Sequence, residues 1–179
     1  MRTAEDVLKF WFEEHGQKDW FGGKAAFDSE LAAKFAETHA AVARGEAREW
    51  RKTPEGRLAE IIVLDQFSRQ LHRKSPHAFA SDEMALTRAQ EAVAQGADRD
   101  LPMPQRMFLY MPYVHSESLA VHAEGRPLFE ALGNTKMLRL ENMHAKVLRR
   151  FGRYPRRNKA LGRRSTVGEL VYMMAGGWF

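Results

Sequence analysis

Arginines dominate the chemically most distinctive part of the chain, the segment RRFGRYPRRNKALGRRST at positions 149–166. No acid occurs between Glu141 and Glu169, and this interval holds nine of the 28 lysines and arginines. The rest of the chain, with 19 cations and 23 acids, carries a net charge of −4. Guanidinium groups match the geometry of carboxylates and phosphates. Because the excess positive charge is local, the segment predicts a site for an anion rather than a uniformly basic surface.

Hydrogen-bond donors accompany these arginines. Ser165, Thr166 and the first N–H groups of a helix that starts there favour an anion. The arginines also precede a helix N-terminus, where cations are unfavourable unless they bind an anion or an acid from elsewhere in the fold. A solvated basic surface is the alternative interpretation. We predict ligand contacts from the third helix and the basic segment, namely Gln66, Arg69, Arg73, Arg153, Arg157, Asn158, Arg163, Ser165 and Thr166.

Charged and polar residues share one side of the predicted third helix. Asp65, Gln66, Arg69 and Arg73 fall within an arc of about 100°, whereas the apolar residues before them point in nearly every direction. A helix that is apolar all round is typically buried. Asp65 and Arg69 are four residues apart and can form an ion pair. Because buried charges must be paired or functional, this arc is either an intrahelical ion pair on a partly wet face or one wall of a cleft.

Two histidines are candidates for acid–base chemistry. His115 precedes Glu117 by two residues, so their side chains diverge on a regular helix unless the nearby Pro112 bends the axis. His144 shares an apolar stripe of the seventh helix and therefore faces the core or a cleft. We predict His115 or His144 as the acid or base, with Asp65 or Glu117 orienting it. A cluster of core tyrosines around a hydrogen-bonded histidine is the alternative for the fifth helix.

The sequence predicts neither a metal nor a cofactor. Glu141 and His144 have the Glu-x-x-His spacing of di-iron bundles, but such bundles need that pair twice, and no second pair occurs. The chain has no cysteine, which excludes disulfides and thiolate metal sites. No nucleophile elbow, phosphate loop or dinucleotide fingerprint is present.

Caps, glycines and prolines divide the chain into seven to eight predicted helices, and strand patterns are nearly absent. We expect helices at about 3–16, 28–45, 54–73, 82–96, 104–124, 127–132 and 135–152, and a short one after Thr166. Pro112 should kink the fifth helix. Short connections favour antiparallel helical hairpins, here within a single helical domain that spans residues 1–179.

Composition limits the compartment and the partners. The start of the chain lacks the basic and then apolar pattern of a signal peptide, and no run approaches the roughly 18 apolar residues of a membrane span. These features, with the absence of cysteine, predict a cytoplasmic protein without a membrane partner. Phe151 and Tyr154 are the only aromatic residues of the basic segment, which argues against nucleic-acid binding.

Six stretches of the chain, VLKFWFEE, WFGGKAAFD, LDQFSRQLHR, FASDEMAL, FLYMPYVHSE and FGRYPRRNKALGRRST, resemble a bacterial family that is catalogued as a domain of unknown function. The resemblance covers about residues 5 to 170 and includes the candidate residues named above. It implies an all-α, right-handed array of helical hairpins like that of tetratricopeptide proteins, and it implies no activity. The chain departs from the family at Arg156, where a histidine is common, and after Thr166. An anion-binding role does not depend on that histidine.

Three functions remain open from the sequence. The first is a module that binds an anionic small molecule or an acidic peptide. The second is a hydrolase or transferase that acts on an anionic substrate through His144 or His115, with Asp65 or Glu117. The third is an interaction scaffold with an exposed apolar patch. In that case Trp178 and Phe179 could dock on a second copy, giving a homodimer, or in the protein's own groove.

Overall fold

The computed structural model describes residues 1–21, 23–177 and 179, and every regular element within them is a helix. The α-helices are α1 (Ala4–Lys9), α2 (Gln17–Trp20), α3 (Ala25–Ala43), α4 (Pro54–Ile62), α5 (Ser68–Leu71), α6 (Asp82–Ala94), α7 (Met103–His115), α8 (Leu119–Ala131), α9 (Thr135–Phe151) and α10 (Val167–Met174). π-Helical turns continue α1 (Phe10–Glu14) and join α4 to α5 (Val63–Phe67). The predicted all-α fold is confirmed, whereas the right-handed tetratricopeptide-like array stays a prediction.

Local side-chain caps explain where the helices start. The hydroxyls of Thr3, Thr53 and Thr166 and the amide oxygen of Asn134 each accept a backbone N–H of the first helical turn. Thr166 and Glu169 form the predicted reciprocal capping box. These starts follow from sequence alone because the cap and the N–H groups it binds are neighbours in the chain.

The α4 helix lies at the centre of the fold, against α1, α6 and α7. Leu58, Ile61, Ile62, Leu64 and Phe67 have no measurable exposure, which confirms that the third predicted helix is buried. The π turn that follows α4 carries Asp65 and Gln66 on this buried element. Widened turns of this kind are frequently found at functional sites, and here the turn places a charged residue in the interior.

The α7 helix ends earlier than expected, so the prediction of one kinked helix over 104–124 and a separate helix over 127–132 is wrong. The chain leaves helical geometry at Ser116, and α8 then runs through Pro127 to Ala131. The carbonyls freed at the end of α7 are bound from elsewhere in the fold. Tyr154 Oη donates to Val114 O at 2.7 Å, and Arg157 Nη2 donates to His115 O at 2.7 Å. A remote segment therefore caps this helix, which no local pattern predicts.

Gly125 lets α7 and α8 pack at close range. A Cβ at this position would lie 2.8–2.9 Å from three side-chain atoms of the buried Tyr113, too close for van der Waals contact. Gly125→Ala is therefore expected to lower the free energy of unfolding by about 1–3 kcal/mol, measured by urea denaturation. Gly168→Ala in α10 is the control, since its nearest such neighbour is 4.0 Å away. Equal stabilities of the two variants would contradict the close packing of α7 on α8.

None of the described helices is both long enough and apolar enough to cross a membrane.

Candidate functional site

An aspartate and a histidine that are 50 residues apart form the centre of the candidate site. Asp65 Oδ1 lies 2.6 Å from His115 Nδ1. The π turn after α4 supplies Asp65, and the last residue of α7 is His115. The hydrogen bond assigns the ring proton to Nδ1 and leaves a lone pair on Nε2, which has no protein partner among the described residues. A carboxylate placed in this way fixes the tautomer and the orientation of a general base.

The electrostatics keep the imidazole neutral and the carboxylate charged. Burial lowers the pKa of His115 below its usual 6.5, and Arg69 lowers it further, while Asp65 acts in the opposite direction without overcoming them. Burial raises the pKa of Asp65, but the positive charge of Arg69 and the hydrogen bond from His115 outweigh burial and leave the pKa below 3.8. At neutral pH the pair is therefore a neutral base beside an ionised carboxylate.

Two arginines enclose this pair and are themselves neutralised. Arg69 contacts Asp65 Oδ1 at 3.0 Å and Asp82 Oδ1 at 2.9 Å. Arg157 contacts Asp82 Oδ2 at 3.1 Å. Both guanidinium groups lie over the ring of Phe79, with Arg157 4.6 Å and Arg69 5.7 Å from its centroid. Two cations and two anions thus form a balanced cluster that joins α4–α5, α6 and the basic segment.

A cavity of about 330 Å³ lies beside His115. This volume falls within the range of small-molecule sites, about 300–1,000 Å³. The polar lining consists of His115 and His144 with Arg69, Arg156 and Arg157. The remaining walls are apolar or aromatic, formed by Phe21, Phe79, Met111, Leu140, Tyr154 and Phe179. The cavity therefore suits a ligand that is largely apolar and carries a few polar groups.

His144 is the second imidazole of this cavity. Its Nδ1 donates to Leu140 O at 2.8 Å, and burial lowers its pKa to about 3, so the ring stays neutral. The ring of Phe179 packs on it, with the centroids 3.5 Å apart. The enzyme hypothesis requires Asp65, His115 and His144 at one cleft. This arrangement is observed, because both histidines line the cavity and Asp65 binds the first of them.

Other arginines of the predicted anion clamp bind the protein's own carboxylates. Arg163 donates to both oxygens of Glu117 at 2.6 and 2.9 Å. Arg153 donates to both oxygens of Glu169 at 2.7 and 2.9 Å. Arg73 pairs with Asp28. Folding therefore brings an internal carboxylate to each of Arg73, Arg153 and Arg163, so the protein itself occupies the positions at which we predicted contacts to a ligand.

The predicted hydrogen-bond donors are also used internally. Asn158 is buried, accepts from Arg163 Nε at 2.9 Å and donates to Ser165 Oγ at 3.1 Å. Thr166 caps α10, and the anion at that helix N-terminus is Glu169 of the capping box. Gln66 donates to Asp65, so it supports the carboxylate of the central pair. Glu117 does not orient His115, since Arg163 and the backbone N–H of Tyr154 bind it.

Sequence reasoning missed Asp82, Phe79 and the cavity role of Arg156. Asp82 was interpreted only as a residue of a helix start, yet it is the shared counter-ion of Arg69 and Arg157. In the sequence, only the family resemblance of the stretch FASDEMAL could have drawn attention to Asp82. Arg156 lines the cavity, and its Nε donates to Gly177 O. No carboxylate of the described part of the chain forms an ion pair with it.

Histidines lie beside carboxylates at other places in the described residues as well, but there the groups have further partners; the second ring nitrogen of His122, for example, lies 3.0 Å from Tyr154 Oη. Within the described residues, Glu14, His15 and Glu30 are close enough to hold an ion. Lys34 Nζ already lies 3.1 Å from Glu14 and 2.8 Å from Glu30, so a cation neutralises that group. Glu141 contacts His122 at 3.2 Å, whereas His144 binds a backbone carbonyl. The absence of a metal stays a prediction.

The fold and the site define an all-α protein in which a partly buried ion-pair cluster, with Asp65 at its buried end, connects the central helices to a C-terminal basic segment. The chain belongs to the bacterial protein family of unknown function DUF924, whose model matches residues 7–177. This result confirms the resemblance seen in the sequence. The chain is also similar to the solved structure of a protein of unknown function from Agrobacterium tumefaciens, with 35% identity over 97% of each chain and a TM-score of 0.91. A comparison with curated proteins found no match.

Proposed function

We propose that this protein is an acid–base enzyme that acts on a small anionic substrate, with His115 as the general base. The observation that carries the proposal is the Asp65–His115 hydrogen bond of 2.6 Å on the wall of a mostly apolar cavity. The imidazole is neutral, its ring is oriented by a buried carboxylate, and Nε2 has no protein partner within the described residues. These are the properties required of a group that removes a proton.

The residues support a hydrolase or a transferase. His115 Nε2 would take a proton from a water molecule or a substrate hydroxyl, and Asp65 would stabilise the imidazolium that forms. Arg157 is paired with Asp82 and donates to the backbone oxygen of His115 at 2.7 Å, so its role would be to hold the base in place beside the substrate. His144 would accept a hydrogen bond from the substrate through Nε2, for which the described residues supply no hydrogen-bond partner.

The charges around the cavity limit how many anionic groups its ligand can carry. Arg69 and Arg157 are matched by Asp65 and Asp82, which leaves the positive charge of Arg156 without a carboxylate partner among the described residues. The cavity of about 330 Å³ is small for a folded peptide but suits a metabolite-sized ligand. We therefore propose a single carboxylate or phosphate group on the ligand, bound by Arg156, in place of the multi-arginine clamp.

Imidazole NMR tests the proposal without a known substrate. In ¹⁵N-histidine-labelled protein, His115 is expected to be the Nδ1–H tautomer at pH 7, with a pKa below 6.5. Acetate or inorganic phosphate should shift its Nε2 resonance. His15 is the matched control, because it also contacts a carboxylate, Asp19 at 3.3 Å, has a similar side-chain exposure of 15%, and lies outside the cavity. A protonated His115 at pH 7, or one that no anion perturbs, would contradict the proposal.

Measurement of kcat in histidine variants is a second test of the proposed function. Among p-nitrophenyl esters and phosphates that the wild type hydrolyses, His115→Gln is expected to lower kcat by about 10²–10⁴-fold, the usual contribution of a positioned proton-transfer group. His15→Gln should leave kcat within two-fold, roughly the scatter between preparations. Retention of wild-type turnover by His115→Gln would exclude it as the base.

A further inference from the structure

An apolar groove of about 350 Å³ lies between α9 and the C-terminal residues, next to the cavity that holds His115. Its floor and walls include Met143, Val147, Phe151, Tyr172, Ala175 and Phe179. Phe179 lines both the groove and the cavity, so these two spaces share one side chain. The acid–base function proposed above does not use the groove.

The α9 helix forms a common floor for both spaces. Leu140 and His144 line the cavity, and Val147 and Phe151 line the groove. Their spacing of three and four residues places them on one side of the helix. At 1.5 Å per residue, the floor from Leu140 to Phe151 is roughly 16 Å long. A single elongated ligand could therefore follow this stripe from the cavity into the groove.

The protein's own chain places an apolar side chain where the two spaces meet. The ring centroid of Phe179 lies 3.5 Å from that of His144 and 6.3 Å from that of Tyr154. Two glycines allow the turn that precedes it. Gly176 has a φ of +85°, and a Cβ on Gly177 would fall 2.3 Å from the ring of Tyr172. Arg156 Nε binds Gly177 O, so the residue that we assign to the ligand's anionic group also holds this turn.

We propose that the groove is a subsite for the apolar tail of an amphipathic monoanion, such as a medium-chain carboxylate, whose head group binds Arg156 beside His115. This inference rests on the cavity being the ligand site of the proposed function. In the free protein, the side chain of Phe179 occupies the space that the tail would fill. Binding of the tail displaces this side chain. Arg156 has no carboxylate partner among the described residues. Its positive charge, the apolar lining and the continuous floor all match one ligand that is charged at one end and aliphatic at the other.

A chain-length series tests the subsite. Calorimetric titration of acetate, butyrate, hexanoate and octanoate into the wild type should give a dissociation constant that falls about three- to four-fold per added methylene. Phe179→Ala should strengthen octanoate binding several-fold more than it changes acetate binding. Phe21→Ala, which alters the cavity and not the groove, should preserve the dependence of the dissociation constant on chain length.

The charge of the head group is tested separately, since octanamide should bind at least ten-fold more weakly than octanoate. A dissociation constant that does not depend on chain length in the wild type would overturn the subsite.

The orientation of the ligand has its own control. In the Phe179→Ala background, where the side chain positioned by this turn is absent, Arg156→Ala should weaken octanoate binding at least ten-fold. Arg150→Ala, which removes a cation from the outer rim of the groove, should change it less than two-fold. Dependence on Arg150 instead of Arg156 would overturn the assignment. If acetate perturbs His115 but binding is independent of chain length, the subsite is wrong and the acid–base function stands. If no anion perturbs His115, both are wrong.

Discussion

Replacement of Asp65 by asparagine is expected to lower the free energy of unfolding by about 3–5 kcal/mol, the usual cost of removing one partner from a buried ion pair. The side chain of Asp65 is 1% exposed, and it contacts both Arg69 and His115. Without the charge of Asp65, the two guanidinium groups of Arg69 and Arg157 share one carboxylate, Asp82, and the cluster has an excess positive charge. Urea denaturation followed by circular dichroism measures the loss.

Two controls separate this effect from a general loss of charge. Asp28→Asn removes the partner of Arg73, whose side chain is 39% exposed, and should cost no more than about 1 kcal/mol. Arg69→Met should partly rescue Asp65→Asn, since loss of both partners removes the uncompensated charge. If Asp65→Asn were as mild as Asp28→Asn, the buried network would not stabilise the fold.

Replacement of Glu169 by alanine is expected to release the basic segment and α10 locally. Glu169 is 2% exposed, binds Arg153 through both oxygens and accepts the N–H of Thr166 at 2.7 Å. Loss of the capping box and of the partner of Arg153 should together lower local stability by about 2–4 kcal/mol. Hydrogen exchange of peptides from 153–174 should accelerate while peptides from α4 stay protected. Glu83→Ala, an exposed acid in the first turn of α6, is the control and should have little effect.

The same carboxylate gives the segment a defined acid sensitivity. Hydrogen bonds from Arg153 lower the pKa of Glu169 to about 2, against burial, and the backbone N–H of Thr166 contributes in the same direction. A group whose pKa is depressed on folding stabilises the native state above its unfolded pKa, here near 4.5. Its contribution is lost as pH falls from about 4.5 towards 2. The difference in local stability between the wild type and Glu169→Gln, measured by hydrogen exchange of the 153–174 segment, should shrink over that range and stay constant from pH 5 to 8. A difference that persists unchanged at pH 2 would contradict this assignment.

These contacts give the basic segment a structural role within the fold. Arg153 and Arg163 bind Glu169 and Glu117, and Arg157 and Tyr154 bind the carbonyls that α7 exposes where it ends at His115. The segment therefore fixes the position of the candidate base. Its cluster of cations is an internal structural element, and Arg156 is the member that we assign to a ligand.

The sequence by itself determined the features whose partners are neighbours in the chain. Caps at Thr3, Thr53 and Asn134 act on N–H groups two or three residues away. The burial of α4 follows from apolar residues on all its sides. Asp65 and Arg69 meet because four residues make about one helical turn. The family resemblance also came from the sequence, through long motifs in a fixed order.

Only the tertiary structure decided which charges pair and where the site lies. Asp65 reaches His115 across 50 residues, and Arg163 reaches Glu117 across 46. The break at Ser116 depends on side chains from a segment about 40 residues further along. A run of arginines has the same sequence pattern whether it binds a ligand or forms ion pairs with the protein's own glutamates. The Coulomb interaction depends on distance in space, and packing of the helices sets that distance.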